Sequence, residues 1–389
     1  MSNWSNWSGA LVATPAQMLF PRSEDDACAL VAQITARGGS LRVAGACHSH
    51  APLVLHDDTI VDPQGMAGVI STDTVNHRAW IGAGTRIYAL GQALHQAGLA
   101  LINQGDIDQQ AIAGATATGT HGTGVTLRNL SAAVTATRMV LANGEAITCS
   151  ATEHPELWQA SRLHLGAFGL VTAVQMQLRP SYRLQESTWQ CDLDSALQSF
   201  DTHAATQRHH EFFWYPQRDL AQCKVIGETD ADAVYPLGEE GSRCAWSFEV
   251  LPNHRPHRHT EMGYSVPADM AADCMRAIRD LLHSRFPDVA WPVEYRSLAA
   301  DDVWMSTAYA RDTITISVHQ DVRLDEAPYF RACEEIFLAY QGRPHWGKVN
   351  YLSGTQLAAC HPRWREWWQV RDQYDPSGTF LNAYLHSIR

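Results

Sequence analysis

Residues 114–124, Gly-Ala-Thr-Ala-Thr-Gly-Thr-His-Gly-Thr-Gly, carry no large aliphatic side chain in eleven positions. Such a segment can lie flat against an extended ligand and offer it both backbone amides and hydroxyls, because nothing bulky holds the ligand away. A second run of small residues, Arg42-Val43-Ala44-Gly45-Ala46-Cys47-His48-Ser49-His50, follows a short strand-like stretch. Positions without bulky Cβ substituents let N–H groups converge on an anion such as a diphosphate. A Gly-rich turn alone needs no ligand. Two of them roughly seventy residues apart in one region point to an extended phosphorylated cofactor.

The surrounding pattern says what carries them. Residues 40–44, 59–61 and 79–81 read as strands, and 87–97 has apolar positions at helical spacing, a βα pattern. Residues 139–141 and 145–149 flank Ala142-Asn143-Gly144, a hairpin signature in which Asn-Gly supplies the positive φ angles. Gly166-Ala167-Phe168-Gly169 reads as a tight turn into a buried strand over 170–178. From about residue 181 the texture changes. Strand-like segments at 212–215, 247–251 and 314–318 alternate with amphipathic helices over 269–285 and 327–340, and 230–243 reads as a polar loop. A further helix over 363–371 precedes the turn motif Asp375-Pro376-Ser377-Gly378. No internal repeat is present.

Composition removes several classes. With 41 acidic against 29 basic residues, a net charge of −12 argues against nucleic acid as a partner. At 45% hydrophobic and 18% charged, the chain can form a core, and no apolar run is long enough for a membrane span. No G-x-x-x-x-G-K-[ST] loop or G-x-S-x-G elbow occurs, and Gly82-Ala83-Gly84 lacks the third glycine of a dinucleotide fingerprint. Nine singly scattered cysteines fit neither a disulfide scaffold nor a zinc ribbon. With no signal-like core in residues 1–12, they point to a reducing cytoplasm, and the sequons at Asn3 and Asn6 read as accidental. His254, His257, His259 and Glu261, interleaved with Arg255 and Arg258, read as a solvated loop, and no metal site is expected.

A third segment, Arg343-Pro344-His345-Trp346-Gly347-Lys348, combines cationic and aromatic surface. With it come Asn6-Trp7-Ser8-Gly9, Asn103-Gln104-Gly105-Asp106-Ile107-Asp108, the strand at 210–216, Glu294-Tyr295-Arg296, residues 306–313, and Asp375-Pro376 through Tyr384. On these motifs the chain resembles, along nearly its whole length, the vanillyl-alcohol-oxidase superfamily of FAD enzymes. Within it the similarity is to the sugar-1,4-lactone oxidoreductases of the gulonolactone and arabinonolactone type. The resemblance implies an α+β fold: a two-part FAD-binding domain over residues 1–180 and 343–389, with an inserted α+β cap (substrate) domain over 181–342. It implies FAD, a small polyhydroxylated substrate such as an aldonolactone, hydride transfer from a secondary alcohol to flavin, and reoxidation by O₂ or another electron acceptor. An alditol, or a sugar or aminocyclitol of specialised metabolism, is the alternative substrate. A non-catalytic flavoprotein or a metal-dependent sugar-binding protein would make His48 and Lys348 incidental.

The resemblance also implies roles. His48 matches the histidine that many members link covalently to the flavin 8α-methyl group. This chain departs from the usual pattern around it, with Cys47 before and His50 where Phe is common, and Cys47 reads as a small buried residue. The cofactor walls are expected from Arg42, Val43, Ala44, Gly45, Ala46, Cys47 and Ser49, then Gly114, Ala115, Thr118, Gly119, Thr120, His121, Gly122 and Gly124, and finally Gly169, Val171 and Lys348. Glu294 and Arg296 alternate on one strand and so face one side, which by itself describes a structural ion pair. The resemblance places them over the flavin, Arg296 to stabilise an alkoxide and Glu294 to bond substrate hydroxyls, with Lys348 stabilising the anionic reduced ring. Counting from Arg311-Asp312-Thr313, the alditol-oxidase histidine falls at Ser317. His319, two residues on and on the same face, is the expected base, with Glu294 the alternative. Asp106 stands where alditol oxidases carry a polyol-binding serine, which favours a lactone.

Overall fold

The computed structural model describes residues 3–389; Met1 and Ser2, the start of the segment read as lacking a signal, lie outside them. Three short strands, β1 (Gln17–Leu19), β2 (Leu41–Val43) and β3 (Thr59–Val61), pair in parallel in the order β1-β3-β2. Parallel strands need a crossover, and α1 (Glu24–Ala36) supplies the one from β1 to β2, on opposite sides of β3. Ser23 caps its first turn, where Glu24, Asp25 and Asp26 complement the helix dipole.

A second, antiparallel sheet holds β4 (Val69–Asp73), β5 (Arg78–Gly82), β6 (Val134–Val140), β7 (Ala146–Ser150) and β8 (Leu170–Gln177) in the order β7-β6-β8-β5-β4. The expected Asn-Gly hairpin joins β6 to β7, with Gly144 at φ +83°. Val31 and Ile34 of α1 pack with Leu41, Val61, Val140 and Leu170, tying the two sheets into one buried cluster.

Downstream, eight antiparallel strands form the largest sheet: β9 (Arg183–Asp192), β10 (His209–Tyr215), β11 (Leu220–Thr229), β12 (Cys244–Trp246), β13 (His259–Pro267), β14 (Val293–Leu298), β15 (Thr313–Asp321) and β16 (Arg343–Pro344). Their order is β12-β9-β11-β10-β14-β15-β13-β16. Strand alternation divides their side chains between two faces. On one face Phe212, Tyr295, Ile316 and Tyr264 lie opposite one another across four strands. Helices cover that face: Phe200 of α4 (Leu193–Thr206) meets Tyr295 edge-on at 4.8 Å, and Phe337 of α6 (Ala327–Ala339) stacks on Tyr264 at 5.0 Å. Ile278 and Leu282 of α5 (Ala271–Arg285), numbered between them, complete the layer. Each such buried side chain contributes about 1.5–3 kcal/mol of apolar transfer. The opposite face carries the polar residues described below.

The C-terminal segment returns to the N-terminal half. In α7 (Trp364–Tyr374), Trp367 donates its indole N–H to the Leu163 carbonyl at 3.1 Å and Arg371 donates to that of Ala167 at 3.2 Å. No helix among the described residues is long and apolar enough to cross a membrane.

Three expectations need correction. Residues 247–251 are not a strand: Ser247–Val250 is one helical turn, started by the Glu249 carboxylate accepting the Trp246 N–H and fixed by Phe248 packing against Gly91. Residues 114–124 do not lie flat throughout, because Ile112–Thr118 is a helix, α3 (so numbered after α2, Ile87–Gln96), closed by Gly119 at φ +76°. His259 and Glu261 are not in a solvated loop but belong to β13.

Candidate active site

The polar face of the large sheet is a grid. In its first row Lys224, Glu211, Arg296, Thr315 and Ser265 oppose one another across five strands. The second row runs Phe213, Glu294, Ser317, Gly263, and the third sets His319 against Glu261. Glu211 therefore has a cation on each side. Its carboxylate takes the Lys224 ammonium at 2.6 Å and the Arg296 Nε–H at 2.6 Å. Burial alone would raise its pKa, but Arg296 and Lys224 overcome that and hold it far below the usual range. Arg296 Nη2 lies 2.8 Å from Glu294 Oε1. Burial pushes the Glu294 carboxyl up, against the pull of Arg296 and Lys348.

Gly263 leaves a hole in the second row. A Cβ there would lie 2.7 Å from Lys348 Cδ and 2.8 Å from Ser317 Oγ. The Lys348 side chain fills that space, donating to Ser317 Oγ at 2.8 Å and pairing with Glu261 at 2.5 Å. Its turn rests on the His48 loop, since the His50 N–H donates to the Gly347 carbonyl at 2.7 Å. Asp106 closes the far side. It accepts from Arg255 Nε at 2.9 Å and from Asn253, and Arg296, Lys224 and Arg255 outweigh its burial to keep it ionised. Asp106, Glu261, Glu294, Arg296, His319 and Lys348 share the wall of a cavity of about 730 Å³, a size suited to one small ligand.

Gln110 links this cavity to a cleft walled by residues 45–49, Gly114, Thr118, Gly166, Gly169 and Val171. Two buried donors in its wall have no partner. His164 Nδ1 accepts the Gly166 N–H at 3.0 Å, so the proton sits on Nε2, which is unpaired, as is Trp4 Nε1–H. Gly114 has open space where a Cβ would be. Unmet donors beside backbone without side chains suit a ligand rich in acceptor oxygens, which a flavin dinucleotide is. His48, in the wall of this cleft, stacks on Trp7 at 5.5 Å, and burial, with Arg86 and His259, lowers its pKa to about 4.

A family model described as D-arabinono-1,4-lactone oxidase matches residues 174–246 and 231–388, and one described as FAD binding domain matches residues 15–150. The L-gulono-1,4-lactone dehydrogenase of Mycobacterium tuberculosis is 33% identical over 99% of this chain and 98% of its own length. The chain belongs to the D-arabinono-1,4-lactone oxidase family. It is an FAD-dependent oxidoreductase, in keeping with the cleft's chemistry. The L-gulonolactone oxidase of Bos taurus is 24% identical over 99% of this chain and 98% of its own, and the alditol oxidase of a Streptomyces species 27% over 99% and 98%. Among solved structures, cholesterol oxidase from B. sterolicum superposes with a TM-score of 0.89 at 17% identity, covering 99% of this chain and 96% of that one. That likeness shows the fold, the mixed helix-and-sheet architecture of FAD-binding oxidases.

Within this lactone-oxidase family framework, the expected residues distribute unevenly. Val43, Gly45, Ala46, Cys47, His48, Ser49, Gly114, Ala115, Thr118, Gly169 and Val171 line the small-residue cleft. Arg42 reaches it too, but its guanidinium donates to the carbonyls of Leu53, Leu165, Gly166 and Phe380, which makes it a clamp on the C-terminal return. Thr120 and His121 line the other cavity instead. Ala44, Gly119 and Gly124 line neither, and Gly122 borders only a small void behind Arg296. Their small size has local causes: a Cβ on Gly122 would sit 2.3 Å from the Gln104 carbonyl, and one on Gly124 2.7 Å from that of Arg208. Ser317 touches Lys348 rather than the cavity.

Sequence reasoning missed Glu261, His259, Glu211, Lys224 and Arg255. The every-second-residue pattern His259, Glu261, Gly263 was the available signal for the first two. His50, His259 and Glu261 bring ligand-type atoms within 4.8 Å of one another, but the Glu261 carboxylate is already engaged by Lys348 and His319.

Proposed function

We propose that this enzyme oxidises a secondary carbinol of an aldono-1,4-lactone, with FAD held in the small-residue cleft and attached to His48. Residues 1–180 and 343–389 form the cofactor part and 181–342 the substrate part. The observation that carries the reading is charge pairing: every carboxylate on the cavity wall has a cation beside it, Asp106 and Glu240 sharing Arg255, Glu294 with Arg296 and Glu261 with Lys348. Such a wall suits a neutral, oxygen-rich ligand and disfavours an aminocyclitol cation, which would meet an arginine or lysine beside every carboxylate. The bound flavin supplies the hydride acceptor. Burial raises the Glu294 pKa, which suits its carboxylate to take the hydroxyl proton. Arg296, fixed by Glu211, neutralises the alkoxide. His48, kept neutral by burial, has the lone pair that a covalent link needs. The proposed setting is cytoplasmic, with O₂ or another acceptor as the final oxidant.

The test is spectral and kinetic. The purified protein should show the two flavin bands, and a denaturing gel should fluoresce after acid, a signal that disappears in His48→Ala. Turnover of L-gulono-1,4-lactone or D-arabinono-1,4-lactone should exceed that of alditols and fall 10²–10⁴-fold in Glu294→Gln. No flavin bands after FAD reconstitution, or faster turnover of an alditol, would overturn it.

A further inference from the structure

We infer that His319 acts as a protonated hydrogen-bond donor to the substrate, held in that state by the positioning residue Glu261, rather than as the base that takes the substrate proton. His319 Nδ1 lies 2.8 Å from the Pro292 carbonyl oxygen. A carbonyl can only accept, so Nδ1 carries a proton. Nε2 lies 3.3 Å from Glu261 Oε1. Glu261 is ionised, because the Lys348 ammonium sits 2.5 Å from the same oxygen. A lone pair on Nε2 would face a carboxylate, whereas a second proton converts that repulsion into an ion pair, and at 3.3 Å the Nε2–H can be shared with a ligand oxygen in the cavity that His319 lines.

The groups around the ring agree. From β13 come Glu261 and His259, whose ring meets that of His319 edge-on at 5.3 Å. Glu294 faces it from β14, and Lys348 and His50 lie in the same cluster through Glu261. Burial drives His50 down to about 3 and lowers His259, so both are neutral. His319 therefore sees two carboxylates and one ammonium. The carboxylates outweigh its own burial and raise its pKa.

The consequence is a substrate preference. A doubly protonated imidazole has no acceptor site, so the oxygen it serves must accept. The carbonyl of a lactone, beside the carbinol being oxidised, is such an oxygen. A polyol hydroxyl can accept as well, but it also brings a proton that this donor-only site cannot take, so the carbonyl is the better fit. This deepens the lactone reading and rests on it.

The sign of the pH dependence separates the two roles. A base must lose its proton to work, so activity falls as pH drops through the His319 pKa. A donor must keep it, so kcat/KM for L-gulono-1,4-lactone falls as pH rises through that pKa. His319→Gln retains an N–H donor but neither titrates nor accepts a proton. We expect it to stay within about tenfold of the parent and to lose the alkaline limb, whereas removing a base costs 10²–10⁴-fold. Glu261→Gln should move the alkaline limb to lower pH. One readout needs no turnover: in the ¹⁵N-histidine-labelled holoenzyme, the His319 signal, assigned by its absence in His319→Gln, should titrate above the ordinary imidazole range and move down in Glu261→Gln. A signal that titrates at or below that range, no response to Glu261→Gln, or an alkaline limb that persists in His319→Gln would each overturn the inference. If the enzyme instead fails to oxidise lactones at all, the functional reading fails while this titration still decides the state of His319.

Discussion

Replacing Gly263 with alanine adds one methyl group against the Lys348 side chain and should displace it without unfolding the protein. The added Cβ would lie 2.7 Å from Lys348 Cδ, 2.9 Å from its Nζ and 2.8 Å from Ser317 Oγ, all inside contact distance. The backbone of β13 and β15 is paired along nine positions and cannot give way. The flexible lysine can. It has to leave the slot between Ser317 and Glu261, where it makes contacts of 2.8 and 2.5 Å. Charge-assisted contacts of this kind are worth about 1.5–3 kcal/mol each. If the reaction needs the ammonium where it is, loss of one contact lowers kcat/KM by roughly 10- to 150-fold at about 1.4 kcal/mol per tenfold. Stability should hardly change, because a strand glycine is itself disfavoured by about 0.5–1 kcal/mol relative to alanine. The assay is steady-state oxidation of L-gulono-1,4-lactone with an artificial electron acceptor, beside a thermal melt. A double-mutant cycle sharpens it: in a Lys348→Ala background the methyl has only Ser317 Oγ to displace, and that hydroxyl can rotate into the space the lysine leaves, so Gly263→Ala should be nearly silent there. Full activity of the single variant, or additive losses in the double, would refute the reasoning.

Two further outcomes follow from the same grid. Glu211→Gln leaves Lys224 and Arg296 buried beside each other without their shared anion, and should cost about 3–5 kcal/mol in urea unfolding, with a fall in kcat/KM as Arg296 loosens. Acid should destabilise the fold before carboxylates titrate: His121, His164 and His361 are buried neutral at about 3, 4 and 3 against 6.5 unfolded. The unfolded chain binds the extra protons, so stability is full above about pH 6.5 and declines below it, by about 1.4 kcal/mol per pH unit for each such histidine; a melting temperature flat from pH 7 to 5 would contradict this.

What the sequence revealed and what it hid divide along one physical line. Features set by neighbouring residues were legible: the Asn143-Gly144 hairpin, the α5 and α6 stripes, the alternation that puts Glu294 and Arg296 on one face. Features set by strand order were not. That Lys224, Glu211 and Arg296 form a row depends on β11, β10 and β14 being neighbours in one register, and no local pattern in H-H-E-F-F announces a glutamate between two cations. The run from His254 to Glu261 misled for the same reason, since its charges look solvated until β13 is seen buried between β15 and β16. Lys348 and Gly263 make the point most sharply. Each is unremarkable alone, a lysine near a turn and a glycine in a strand. Only when β13 lies beside the turn after β16 does the missing side chain of one become the channel for the other. The same dependence explains why the small-residue segments were over-read: Gly122 and Gly124 are small because another part of the backbone passes within 3 Å of where a Cβ would be. A glycine therefore marks close approach by something. In this fold that something is a lysine at Gly263 and the protein's own chain at Gly122 and Gly124, while Gly114 faces open space in the cleft wall.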